Sequence, residues 1–268
     1  MLNDITLGQY FPGKSFVHKL DPRTKIILTI LYIAEIFCVS HPVFYVIPLS
    51  YLLLSTKLSG LKVSQLLKSI RPLRFLLILT FLLNLLFSSG ETLWIHWGPF
   101  TVTAEGLIIA LHFSLRLVFL VAGTSILTLT TSPVSLSDGL EMLLAALKVI
   151  HFPAHELAMM MAIALRFIPT LIEEADKIMK AQMARGADFE SGNLLKRAKA
   201  MVPLLVPLFV SAFRRAGELA TAMEARCYHG GEGRTRLRVL KYEKNDAIAI
   251  AFTAAVLIVT VACGKVSL

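Results

Sequence analysis

Apolar residues run along this chain in long blocks separated by short polar intervals. Residues 26–56 are apolar apart from Glu35 and a His41-Pro42 break, which divides them into short segments of about 26–40 and 43–56. Residues 73–89 (LRFLLILTFLLNLLFSS), 105–130 (EGLIIALHFSLRLVFLVAGTSILTLT) and 246–263 (DAIAIAFTAAVLIVTVAC) make three further blocks. All are too long for strands, and the longer ones match the roughly 20 residues that cross a hydrocarbon core about 30 Å thick. The pattern predicts five membrane-spanning helices. Between them, ETLWIHWGPFTVTAE (90–104) alternates around Gly98-Pro99, which predicts a small hairpin, and Trp94 and Trp97 suit a membrane interface.

Residues 132–245 read differently. Apolar stretches such as LAMMMAIALRFIPTLI and MVPLLVPLFVSAF alternate with basic residues and prolines, the pattern of amphipathic helices. Ser132-Pro133 suits an N-cap and first helical residue, opening a helix over about 133–148. A second helix is predicted over 154–184 and a third over 192–227, with Ser-Gly-Asn (191–193) between them. The expected fold is an all-α integral membrane protein. It divides into a membrane domain (1–131), an amphipathic-helix domain (132–245) and a last span (246–268).

Charge fixes the orientation. Of 27 Lys and Arg, four precede the first span (Lys14, Lys19, Arg23, Lys25), five lie in 57–74 and sixteen in 132–245, whereas 90–104 has none. Basic loops stay cytoplasmic. Five crossings with the N-terminus inside and the C-terminus outside satisfy this rule. Were the two apolar stretches of 132–245 also to cross, six positive charges between 173 and 200 would face outward. Residues 132–245 are therefore expected at the cytoplasmic face.

Composition supports a bilayer protein: 56% of residues are hydrophobic, 17% are charged and the net charge is +9. Cys38, Cys227 and Cys263 have neither zinc nor redox spacing, and the first 24 residues do not resemble a cleavable signal. Gly8-Gln-Tyr-Phe-Pro-Gly-Lys-Ser15 fits G-x-x-x-x-G-K-[ST], but a phosphate loop needs a strand before it and a helix after it. Asp21-Pro22 predicts a turn where that helix should run. His151 and His155 have i, i+4 spacing, yet Pro153 spoils a shared face, so no metal and no cofactor are expected. Glu35, His112 and Arg116 lie within spans, where internal pairing is expected over an ion path. Arg234, Arg236, Arg238, Lys241 and Lys244 read as an anchor to anionic lipid and not as a nucleic-acid site.

The two long helices of 132–245 end alike. Ala181-Gln-Met-Ala184-Arg185-Gly186 and Ala222-Met-Glu-Ala225-Arg226-Cys227 share A-x-x-A-R, 41 residues apart. Alanines three apart allow close approach, and each Arg extends a planar donor fork. Helices joined by a short loop run antiparallel, so the two tips are expected at opposite ends of the pair, as two plugs for two similar sockets. Methionines cluster in the same helices. The apolar face of Met159, Met160 and Ile163 is the candidate docking surface for a further partner.

With these residues in view, the chain resembles the T component (EcfT) of energy-coupling factor transporters, ABC importers of vitamins and metal ions whose T components include CbiQ and BioN. The resemblance runs through YFPGKSFVHKLDPRTK, TAEGL, the Arg116 helix, TTSP, ALRFIPTLIEEADKIMKAQMARG and AMEARCYHGGEGRTR. It implies a non-catalytic, multi-pass subunit of a prokaryotic cell membrane. By resemblance, Ala184-Arg185-Gly186 and Ala225-Arg226-Cys227 tip coupling helices that enter grooves on two ATP-binding-cassette ATPase subunits, and the chain joins these to a membrane-embedded, substrate-binding S component. Cys227 departs from the Ala-Arg-Gly form at the third position. An ordinary ABC permease subunit would need one such motif per chain, and a membrane enzyme would need polar residues clustered at one depth. A module shared among S components and one dedicated to cobalt, nickel or biotin both fit.

Overall fold

The computed structural model describes residues 10–88, 93–97, 100–145, 153–187, 189, 193–230 and 240–266. Ser15 caps a single turn, α1 (Phe16–Lys19), by accepting from the His18 N–H. Asp21 then caps α2 (Pro22–Cys38), which has Pro22 in its first turn. The His41-Pro42 break becomes a 3₁₀ turn (Pro42–Tyr45) that runs directly into α3 (Val46–Ser59), which Gly60 ends. The basic 57–74 segment contains a short helix, α4 (Val63–Ile70), and a 3₁₀ turn leads from it into α5 (Arg74–Phe87).

The expected hairpin is present as β1 (Leu93–Trp97) antiparallel to β2 (Phe100–Thr103), with Trp97 opposite Phe100. Gly98, Pro99 and the side chains of Trp94 and Trp97 lie outside the described residues. Four more helices follow: α6 (Ala104–Thr130), α7 (Pro133–Leu144), α8 (Ala154–Ala184) and α9 (Leu194–Glu224), before a last one, α10 (Lys244–Val266). Apart from that hairpin, the described elements are all helical.

The described residues fall into two compact units, one within Gly8–Leu140 and Val239–Leu268, the other within Glu141–Arg238. In the first, Tyr32, Ile36 and Val39 of α2 pack with Tyr45, Leu52, Phe119 and Ala122 as one buried cluster. Gly123 makes this possible, because any side chain there would strike the Tyr32 ring. Tyr32 in turn stacks on Tyr51, and Tyr45 on Phe119. Around this core the outward faces are apolar. In α5 no residue is buried, and Phe75 and Ile78 are 74% and 65% exposed, as suits helices solvated by lipid.

Hydrogen bonds tie the helix ends together. At one end the Asp21 N–H donates to Asp246 Oδ1 (2.9 Å), the Glu243 N–H donates to Asp246 Oδ2 (2.8 Å), and Lys25 Nζ donates to the carbonyls of His18 (3.2 Å) and Thr130 (3.0 Å). At the other, Arg116 Nη2 donates to the Val39 carbonyl (3.4 Å) and the Tyr45 hydroxyl to the His112 carbonyl (3.3 Å). Helices α2 and α10 thus start where α6 ends. The three ionisable groups expected to face protein do so: Arg116 lies 2.8 Å from His112 Nε2, and fully buried Glu35 accepts from Thr260 Oγ1 (3.4 Å).

Among the described residues, six helical stretches are long and apolar enough to cross a bilayer: Pro42–Ser59, Val63–Phe87, Ala104–Thr130, His155–Ala184, Lys199–Glu224 and Lys244–Gly264. Two of them belong to α8 and α9, which the sequence reading kept at the cytoplasmic face. The 17 residues of α2 reach only about 25 Å. Length and composition alone therefore select a different set of helices from the one that the charges select.

Candidate coupling site

Helices α8 and α9 are 31 residues each, about 46 Å long. Glu174 in α8 accepts from the Ser211 hydroxyl and from Arg215 Nη2 (2.7 Å), both in α9. Eight residues further along α8, Gln182 Nε2 makes a long contact (3.5 Å) with the carbonyl of Pro203. The partner numbers fall in α9 as they rise in α8, so the helices run antiparallel. The Gln182 contact has a cause in the sequence. Pro207 has no N–H to give to the Pro203 carbonyl, and a side chain from the facing helix approaches the acceptor left over. The Ser211 hydroxyl and the Arg215 charge hold the Glu174 carboxyl below the usual carboxylate range.

Antiparallel packing sends the C-termini of α8 and α9 to opposite ends of the pair, and the two ends have the same backbone. After α8, the Gly186 N–H donates to the Met183 carbonyl (3.0 Å) and the Ala187 N–H to that of Gln182 (3.0 Å). After α9, the Cys227 N–H donates to the Glu224 carbonyl (2.9 Å) and the Tyr228 N–H to that of Met223 (3.1 Å). This is one Schellman motif built twice. It needs a left-handed residue at its third position, and Gly186 (φ 88°) and Cys227 (φ 56°) supply it. The departure from Ala-Arg-Gly thus leaves the local fold intact. In each motif the Arg is the last residue before the chain reverses. Arg185 and Arg226 are both exposed, as are Ala184, Gly186, Ala225 and Cys227, and neither Arg forms a salt bridge with another described residue.

The apolar candidates on α8 are split: Met160 is 54% exposed, while Met159 and Ile163 are half-buried. A larger surface lies on α9, where Val202, Leu205, Val206, Phe209, Val210 and Phe213 follow at helical spacing and are all exposed, Phe213 at 75%. The sequence reading places docking on the methionine-rich stretch and does not include this surface. The signal was the i, i+3, i+4, i+7 recurrence within MVPLLVPLFVSAF, partly hidden by Pro203 and Pro207.

Other sequence candidates resolve as local structure. Within GQYFPGKS, Gly8 and Gln9 lie outside the described residues. Tyr10–Ser15 do not themselves form a strand, and the following helix is a single turn. Ser15 Oγ lies 2.7 Å from His18 Nδ1, and His18 Nε2 lies 2.9 Å from the Phe11 carbonyl, so His18 ties this loop together. His155 Nδ1 meets Glu141 Oε1 at 3.0 Å; His151 lies outside the described residues, as do Arg234, Arg236 and Arg238. Among the described residues no group of His, Cys, Asp and Glu is arranged to hold a metal ion.

Comparison with known proteins agrees in kind. The family model described as CbiQ, cobalt transport protein, matches residues 13–237. The energy-coupling factor transporter transmembrane protein EcfT of Acidaminococcus fermentans is 56% identical over 248 residues, covering 92% of each chain. The protein of the same name from Clostridium kluyveri is 54% identical over 250 residues, 93% of each chain. That from Bacillus subtilis is 48% identical over 250 residues, 93% of this chain and 94% of its own.

Proposed function

We propose that this chain, which belongs to the family of energy-coupling factor transporter transmembrane proteins, transmits the ATP-driven motion of two ATPase subunits to a membrane-embedded S component that binds a vitamin or other micronutrient. The observation that carries the reading is the duplicated Schellman motif. Two exposed Arg residues stand at the same position of the same motif, at opposite ends of one antiparallel helix pair. One antiparallel pair with a donor fork at each end suits a partner with two similar acidic or carbonyl-lined grooves, which a pair of like ATPase subunits would offer. The chain does no chemistry itself; ATP is hydrolysed by its partners. Residues 132–245 lie at the cytoplasmic face, where their sixteen Lys and Arg favour them. The S component docks on the apolar faces around Met160 and around Val206–Phe213.

Co-purification of the ATPases with charge-reversed tips tests this. Truncating one partner of a buried, hydrogen-bonded charge pair costs about 2–5 kcal/mol. Both plugs belong to one chain, however, and such linkage raises apparent affinity by about 10² to 10⁴. Arg185→Ala or Arg226→Ala alone should leave some complex while impairing transport. Arg185→Glu with Arg226→Glu should release both ATPases and leave the S component attached. If the two Arg residues serve only as helix C-terminal cations, worth about 0.3–1 kcal/mol each, assembly will barely change. Retention of both ATPases at wild-type stoichiometry rejects the coupling role.

A further inference from the structure

We propose that the first unit carries a binding site for one anionic phospholipid of the inner leaflet, in the cleft between α3 and α10. The proposal goes beyond the coupling function and uses from it only the orientation, in which the end of the unit holding the starts of α2 and α10 faces the cytoplasm. The cleft has a volume of about 340 Å³, within the roughly 300–1,000 Å³ of small-molecule sites. Tyr32 and Gly123 line it together with Leu54 and Leu58 of α3, Phe252 of α10 and Phe16 of α1.

Three features identify the guest. The lining residues Leu54, Leu58 and Phe252 are 41%, 44% and 46% exposed, so the cleft opens sideways, where a bilayer presents acyl chains. Left empty, such a space forfeits the dispersion contacts of every atom around it, and its mostly apolar lining offers water few partners. An acyl chain fills it without either loss. The second feature is charge. Lys19, Lys57 and Lys244 are exposed, and each is next to or one helical turn from a lining residue: Leu20, Leu58 and Ile248. One comes from each of α1, α3 and α10, around the inner end of the cleft. Lys25 also lines the cleft, but its ammonium is committed to the carbonyls of His18 and Thr130 and belongs to the scaffold. The third feature is the Tyr32 hydroxyl, which is buried without a hydrogen-bond partner and is a donor ready for an oxygen of the guest.

Each lysine at an anionic headgroup contributes roughly fivefold in affinity, so three favour an anionic over a zwitterionic lipid by on the order of a hundredfold. The test is native mass spectrometry of the assembled transporter, released from nanodiscs containing equal amounts of phosphatidylglycerol and phosphatidylcholine with identical acyl chains. The wild-type complex should retain one phosphatidylglycerol per copy of this chain that survives release. Ala249→Trp, which fills the cleft from α10, should lose that lipid while the subunit composition stays unchanged. Lys19→Gln with Lys57→Gln and Lys244→Gln alters only exposed positions, so it folds even if the tryptophan variant does not. It should keep one lipid but retain phosphatidylcholine almost as often as phosphatidylglycerol. Equal retention of the two lipids by the wild type overturns the headgroup assignment, and a phosphatidylglycerol that survives Ala249→Trp in an intact complex overturns the site.

Discussion

At Cys227 the backbone holds φ at 56°, a left-handed conformation that costs an L-residue other than glycine about 1–2 kcal/mol. It is the only non-glycine in that region among the described residues. The matching position on α8 is Gly186, with nothing within 4 Å of where a Cβ would stand. The third residue of each motif is therefore chosen by backbone geometry, and the Arg before it is the exposed group that the proposed partner would meet. Cys227→Gly should raise thermal stability slightly, a gain of up to about 1 kcal/mol after the added unfolded-state entropy. ATPase binding should be unchanged. Gly186→Val should cost more than 1 kcal/mol and weaken ATPase binding, because a β-branched residue resists the turn that aims Arg185. Loss of the ATPases from a folded Cys227→Gly variant would give the thiol a share in recognition. Sequence alone revealed the repeated A-x-x-A-R, but the φ that unites Gly186 with Cys227 has no composition signal.

At the scale of elements, the bounds of α8 agree with those expected from its pattern, because Pro153 and Gly186 punctuate it at both ends. Helix α4 was hidden. Leu66 and Leu67 sit among Lys57, Lys62, Lys68, Arg71 and Arg74, so charge made the segment read as a loop, although Leu66 packs with Leu61 and Leu129. The apolar stripe of α9 was visible as a period but not as a surface, since periodicity does not say which faces find partners. That stripe supports a specific expectation. Burial of each large apolar side chain contributes about 1.5–3 kcal/mol, so Val206→Asp with Phe209→Asp should weaken S-component retention by at least about a hundredfold in pull-down. Met160→Asp with Ile163→Asp should do so less strongly, because Ile163 is already half-buried. Departure of the ATPases in place of the S component would reassign both faces.

At the scale of the molecule, two criteria divide the helices differently: apolar length admits α8 and α9 as spans, and the positive-inside rule would keep them at the cytoplasmic face. Exposed Lys180, Arg185, Arg214 and Arg226 decorate the same pair as the apolar stripes, which suits a surface wetted on one side and covered by protein on the other. In a variant lacking Cys38, Cys227 and Cys263, single cysteines replacing Lys180 or Glu218 should stay unlabelled by an impermeant thiol reagent added to intact cells. A cysteine replacing Gly98 should be labelled. Reaction at either of the first two would put α8 and α9 across the bilayer.

Two contacts close the first unit, and both join residues 225 apart: Asp21 to Asp246, and Glu35 to Thr260. A ribosome adding about 5–20 residues per second takes about 10–45 s to cover that distance. For that interval a carboxyl group that ends fully buried must wait beside an unfilled seat in the membrane, and only α10, made well after it, can complete it.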